Sequence, residues 1–90
     1  MDNQDRKILG AMNAISPMSF VSPIEVNEII KLDKIELGDR LTLMKKSGYV
    51  DVITRDYVSS MTLPNFIAKI KLTDLGRSAL KGKKKREASP

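Results

Sequence analysis

The sequence has no cysteine, no histidine and no tryptophan. Without cysteine there is no disulfide scaffold, no thiolate nucleophile and no Cys-ligated zinc. Without histidine the commonest general base and metal ligand is missing too. Aromatic residues make up 4% of the chain, and no apolar run exceeds Phe66-Ile67-Ala68, so nothing in the sequence spans a bilayer. The opening residues Met1-Asp2-Asn3-Gln4-Asp5 carry neither a basic nor an apolar signal region, which predicts a cytoplasmic (intracellular) location. No glycine-rich phosphate loop or nucleophile motif is present. The expectation is a binding module and not an enzyme, with no membrane contact, no cofactor and no bound metal.

What the sequence does contain is 90 residues, 41% of them hydrophobic, enough for one small domain with a modest core. Apolar residues recur from residue 8 to residue 80, which argues against general disorder. The formal charge is +5, from 16 Lys and Arg against 11 Asp and Glu. That charge is uneven: residues 81–90 hold five basic residues and one acid, leaving only +1 for residues 1–80. We therefore expect a domain over 1–80 and a basic, disordered tail over 81–90. Such a tail either solvates the protein or is drawn to phosphate by counterion release.

Ile8, Met12 and Ile15 recur at i, i+4 and i+7 with Ala11 beside them, one face of an amphipathic helix over 5–15. Pro17 stops it, because the residue before proline is pushed out of the helical region. Residues 18–21 are short enough to pair only as a small strand. Ser22, Pro23 and Glu25 are in turn a cap, a first-turn proline and a capping-box acid, opening a helix over 23–31 with Val26, Ile29 and Ile30 as its stripe. Asp33 and Glu36 repeat the capping pattern, so a tight turn separates this helix from the next. The next helix, over 34–47, has Leu37, Leu41 and Met44 on its inner stripe and Lys45 and Lys46 in its last turn. Gly48 is its left-handed stop, and Gly38 in its interior marks a close helix contact.

From Tyr49 the period becomes two. Val50 and Val52 share one strand face, and Ala68, Ile70 and Leu72 share another, with Lys69 and Lys71 opposite. The polar residues 54–65 join the strands into a hairpin with a projecting tip, steadied by a small cluster of Tyr57, Met61 and Leu63. Thr73 then caps a short helix over 74–80.

Two helices with a tight turn, followed directly by a hairpin, make a helix-turn-helix with a wing. In this order the chain resembles the winged helix-turn-helix family, in particular small regulators similar to the MarR and PadR groups. The likeness runs over about residues 5–80. It is sharpest in Leu41-Thr-Leu-Met-Lys-Lys-Ser-Gly-Tyr-Val50 and Lys71-Leu-Thr-Asp-Leu-Gly-Arg-Ser-Ala-Leu80. These look like that family's Leu-x-x-Leu-x-x-x-Gly-aromatic-Val helix end and its Leu-Thr-x-x-Gly exit from the wing. The resemblance implies an α+β, mostly α, fold: a three-helix core, a β-hairpin wing and a short C-terminal helix. It also implies a transcriptional regulator that binds double-stranded DNA, with helix 34–47 in the major groove and wing 54–65 on the backbone. A possible homodimer would read two half-sites, joined through the first helix or the tail because the last helix is short.

Carried over by position, the DNA-facing residues are Lys34, Glu36, Asp39, Arg40, Thr42, Leu43, Lys45 and Lys46 on the helix, Arg55 at the base of the wing and Lys69 on the strand. The face opposite Leu37, Leu41 and Met44 comprises Ile35, Glu36, Asp39, Thr42, Leu43 and Lys46, with Arg40 on the flank. A carboxylate there accepts from a cytosine amino group, and an apolar side chain touches a thymine methyl. Exposed Ile35 and Leu43 on a nearly neutral body also suit a protein partner. The alternative is thus a winged-helix protein-protein interaction module without specific DNA binding.

Overall fold

The first helix, α1 (Asn3–Ile15), begins earlier than its apolar stripe predicts, because the Asp2 carboxylate accepts from the Asp5 amide at 2.9 Å and caps it. A computed structural model describes the backbone of residues 2–88 and the side chains of residues 2–81. Helix α2 (Pro23–Ile30) starts at Ser22, whose hydroxyl accepts from the Ile24 amide at 3.1 Å. The Glu25 side chain makes no reciprocal bond among the described residues, so Ser22 acts as a single cap and not as half of a capping box. Helix α3 (Lys34–Lys46) starts at Asp33, which accepts from the amides of Ile35 and Glu36.

The turn between α2 and α3 has no glycine. Lys31 takes the left-handed conformation instead, at φ 56°. Asn27 brackets the turn from inside: its Oδ1 accepts from the Leu32 amide at 2.8 Å, and its Nδ2 donates to the Leu32 carbonyl at 2.9 Å. Helix α3 ends as its sequence predicts. Gly48 has φ 87°, its amide donates to the Lys45 carbonyl, and the Tyr49 amide donates to the Met44 carbonyl. These two bonds are the Schellman pattern, and they satisfy carbonyls that the helix end would otherwise leave open.

Strands β1 (Val50–Thr54) and β2 (Ile67–Leu72) pair antiparallel, with Val50 opposite Leu72 and Val52 opposite Ile70. Val21 adds a single bridge to the other side of β2 at Ile70, the small strand pairing expected of residues 18–21. The register shifts where Ile53 faces Lys69 and Thr54 faces Ile67, which leaves Ala68 as the extra residue of a bulge. Ile67 therefore turns into the core, and Ala68 is only half-buried, where simple alternation predicts the reverse.

Helix α4 runs from Asp74 to Ala88, well past the expected end at residue 80. The backbone of residues 81–88 thus continues the helix where the sequence suggests a disordered tail. Lys, Arg, Glu and Ala are good helix formers and carry the helix through the single Gly82 as far as Ser89-Pro90, which lie outside the described residues. Among the described residues no helix is long and apolar enough to cross a membrane.

The core is drawn from α1, α2, α3, the hairpin, Val21 and Leu63, with Ile8, Leu9, Met12, Val26, Leu37, Leu41, Ile70 and Leu72 almost or wholly inaccessible and Ala79 and Leu80 of α4 packed against it. The α3 stripe of Leu37, Leu41 and Met44 is buried as expected. In α1 the inward set is Ile8, Leu9, Ala11 and Met12, while Ile15 reaches the surface beyond the last packed turn. In α2 Ile29 is exposed and Ile30 packs against the core. Leu63 overturns the picture of a projecting wing-tip cluster. It is fully buried, and its amide donates to the Ile67 carbonyl at 2.9 Å, whereas Tyr57 and Met61 stay exposed.

Candidate nucleic-acid interface

Helix α3 has three distinct sides because its residues advance at 3.6 per turn. Its inner side is spent on the core. One flank meets the start of α1: Arg40 Nη1 lies 3.0 Å from Asp2 and 3.1 Å from Asp5, and Arg40 Nε lies 3.0 Å from Glu36. This cluster holds the Arg40 guanidinium in its charged form even more firmly than usual, through hydrogen bonds to Asp2, Glu36 and Asp5 in that order. The Asp2 carboxyl is pulled below its ordinary value, first by the Asp5 amide and then by Arg40. Arg40 and Glu36, both expected to face DNA, are paired with each other, and Arg40 also fastens α3 to the first turn of α1. The sequence offers one hint of this, an Asp at residue 2 three positions before Asp5, which reads as a cap but not as a long-range partner.

The opposite flank meets the wing loop. A Cβ on Gly38 would lie 2.7 Å from Asn65 Nδ2, so the close contact that this glycine permits is with the loop and not with another helix. Asn65 also approaches the Thr42 hydroxyl at 3.5 Å, and that hydroxyl donates to the Gly38 carbonyl at 2.9 Å. Thr42 is thus largely engaged within the protein. Nothing in the sequence marks Asn65 as the partner, because the contact depends on how the loop folds back.

The outward side carries Ile35, Asp39, Leu43 and Lys46, all exposed, with Lys34 and Lys45 exposed toward the loop flank. Lys45 and Lys46 close the last turn of α3 and complement its dipole. Arg55 and Lys69 are exposed on the hairpin and both line an open groove of about 650 Å³ with Ile15, Phe20, Tyr57 and Met61. The Arg55 amide donates to the Phe66 carbonyl at 2.9 Å, fixing the base of the loop while leaving the guanidinium outside. On the neighbouring strand position, Lys71 is not a bare solvent lysine, since its ammonium stands 5.7 Å from the Phe20 ring centre. Among the described residues no group of three or more Cys, His, Asp or Glu side chains is gathered as a metal-binding set.

Helices α1, α2 and α3 with the β1–β2 hairpin and α4 define a winged helix-turn-helix. Comparison with solved structures gives the same fold. A mutant MarR from E. coli complexed with operator DNA superposes with a TM-score of 0.69 at 18% identity, over 91% of this chain and 52% of that one. The oxidized form of E. coli MarR gives 0.68 at 18% identity over the same shares. A mutant of S. aureus MepR gives 0.68 at 13% identity, over 99% of this chain and 62% of that one. The chain therefore has the winged-helix fold of MarR-type regulators, and it spans little more than half the length of these neighbours. No protein-family model and no curated protein sequence matches it.

Proposed function

We propose that this protein binds duplex DNA as a small transcriptional regulator, without enzymatic activity, in the cytoplasm. Helix α3 enters the major groove and the hairpin lies on the backbone. The observation that carries this reading is the free outward side of α3 in a helix-turn-helix geometry. Exposed Lys34, Lys45 and Lys46 stand along that helix, and Arg55 and Lys69 stand on the adjoining wing. Cations at these places contact phosphate and supply affinity that does not depend on sequence. A structural neighbour complexed with operator DNA supports DNA binding by analogy of fold. Arg40 and Glu36 play no direct part, because they are paired on the α1 flank. A homodimer reading two half-sites suits this docking.

The test is a fluorescence-anisotropy titration of the folded protein against duplex DNA at two salt concentrations. Lys45→Glu with Lys46→Glu should weaken binding on every sequence, most steeply at low salt where screening is weakest. Unchanged binding by that variant overturns this docking. A second reading, a module that docks a protein, is favoured by the exposed side chains of Ile29, Ile35 and Leu43. It predicts that the wild-type protein shows no duplex binding even at low salt.

A further inference from the structure

Ile35, Asp39 and Leu43 follow one another at four-residue intervals along the outward side of α3, with Ile35 62% and Leu43 61% exposed and Asp39 between them exposed as well. In the major groove guanine is read by Arg or Lys, and adenine by Asn or Gln. Helix α3 contains no Asn or Gln. Its one arginine, Arg40, is held by Asp2, Asp5 and Glu36. Lys34 and Lys45 stand toward the loop flank, and Lys46 stands in the last turn, where it complements the helix dipole. The Thr42 hydroxyl is committed to Gly38 and Asn65. What remains for base reading is one carboxylate between two hydrocarbon side chains.

We propose that α3 reads thymine methyl groups with Ile35 and Leu43 and a cytosine amino group with Asp39. This inference rests on the DNA-binding reading above and specifies its target. The C5 methyl of thymine is the one apolar group on the major-groove edge, and it is the natural contact for an exposed isoleucine or leucine. The cytosine N4 amino group donates, so it pairs with a carboxylate. Guanine offers only the N7 and O6 acceptors and thymine the O4 acceptor, which repel that carboxylate, and adenine sets its N7 acceptor directly beside its N6 donor. Four residues of helix rise about 6 Å, close to two base steps of about 3.4 Å. The preferred site is therefore a cytosine with a thymine about two steps to either side.

The test begins with selection of a preferred duplex from a random pool by the wild-type protein. The enriched duplex is then synthesised with every thymine replaced by deoxyuridine, which removes the methyl groups and leaves every phosphate in place. Binding should weaken about fourfold for each contacted methyl, the equivalent of ~0.8 kcal/mol, with an unchanged salt slope. Ile35→Ala with Leu43→Ala should bind the two duplexes equally. Asp39→Asn should move the preference at the central position from cytosine to adenine, because a carboxamide pairs with N6 and N7. Equal wild-type binding to the thymine and deoxyuridine duplexes, with a normal salt slope, overturns the methyl reading and leaves DNA binding standing. A pool without enrichment, or one enriched in guanine through Lys46 and relaxed by Lys46→Ala, also overturns it. No binding to any duplex at low salt overturns both this inference and the reading beneath it.

Discussion

The Thr73 hydroxyl donates to the Gly48 carbonyl at 2.6 Å and accepts from the Gly76 amide at 3.0 Å. One side chain thus joins the stop of α3 to the start of α4. The Thr73 amide also donates to the Tyr49 carbonyl at 3.2 Å, and a Cβ on Gly76 would lie only 2.1 Å from that same oxygen. The two sequence signatures, Gly48-Tyr49 and Leu72-Thr-Asp-Leu-Gly76, are therefore the two halves of one junction.

Gly76→Ala should destabilise the fold by about 1–3 kcal/mol, because the neighbour that must move is backbone. Gly10→Ala is the control. It is a helix-interior glycine whose added Cβ meets nothing within 4 Å, and it should gain about 0.5–1 kcal/mol. Urea unfolding midpoints of the two variants should move in opposite directions.

The turn between α2 and α3 is held by a side chain in place of a glycine. Asn27→Ala should cost about 1–3 kcal/mol, since it leaves the Leu32 amide and carbonyl without their partly buried partner. Lys31→Gly should gain about 1 kcal/mol by relieving the left-handed conformation. Thermal denaturation checks both, and a destabilised Lys31→Gly protein would contradict the argument.

Acid should loosen the contact between α1 and α3. The folded protein holds the Asp2 carboxyl below its ordinary value of 3.8, so its contribution is present above that pH and fades as the pH falls through the lower folded value. Asp2→Asn keeps a capping side chain but removes the charge. Its unfolding midpoint, followed from neutral pH to well below 3.8, should fall less steeply than that of the wild type across this window.

Truncation after residue 80 removes five basic residues. If they sit against DNA, the slope of log affinity against log salt should flatten by about 0.9 for each phosphate that is no longer neutralised. We expect weaker binding with the same sequence preference. An identical slope would show that residues 81–90 take no part in DNA binding.

Where the sequence could be read directly, the controlling interactions were local. The caps at Ser22 and Asp33, the inner stripe of Leu37, Leu41 and Met44, and the Gly48 stop all depend on neighbours within about one helical turn. The strands were legible for the same reason, up to the point where Ala68 bulges. Beyond it a period of two assigns Ile67 and Ala68 to the wrong sides, because an extra residue inverts the alternation. The site residues were less legible. A lone Arg40 on a helix flank looks available until α1 brings Asp2 and Asp5 to it, across 38 and 35 positions of sequence. Asn65 over Gly38 and Leu63 in the core are likewise products of the loop's return path. The basic run after residue 80 was legible as charge, but its helical propensity was outweighed by its low complexity.

Burial of Leu63 divides the wing loop into two parts under different rules. Residues 64–66 connect the anchor to β2 through the left-handed Phe66, at φ 71°, and the bulge that follows sets which side chains face inward. An inserted or deleted residue there would exchange Ile67 and Ala68 and displace the core. Residues 55–61 begin after β1 has ended, are all exposed, and close back on the anchor through the Ser59–Thr62 bonds. Because closing a longer loop adds little entropy cost, this distal half can change in length and composition with the domain intact. Diversification among descendants of this chain should accumulate there, changing what the wing touches while the strands and α3 keep their geometry.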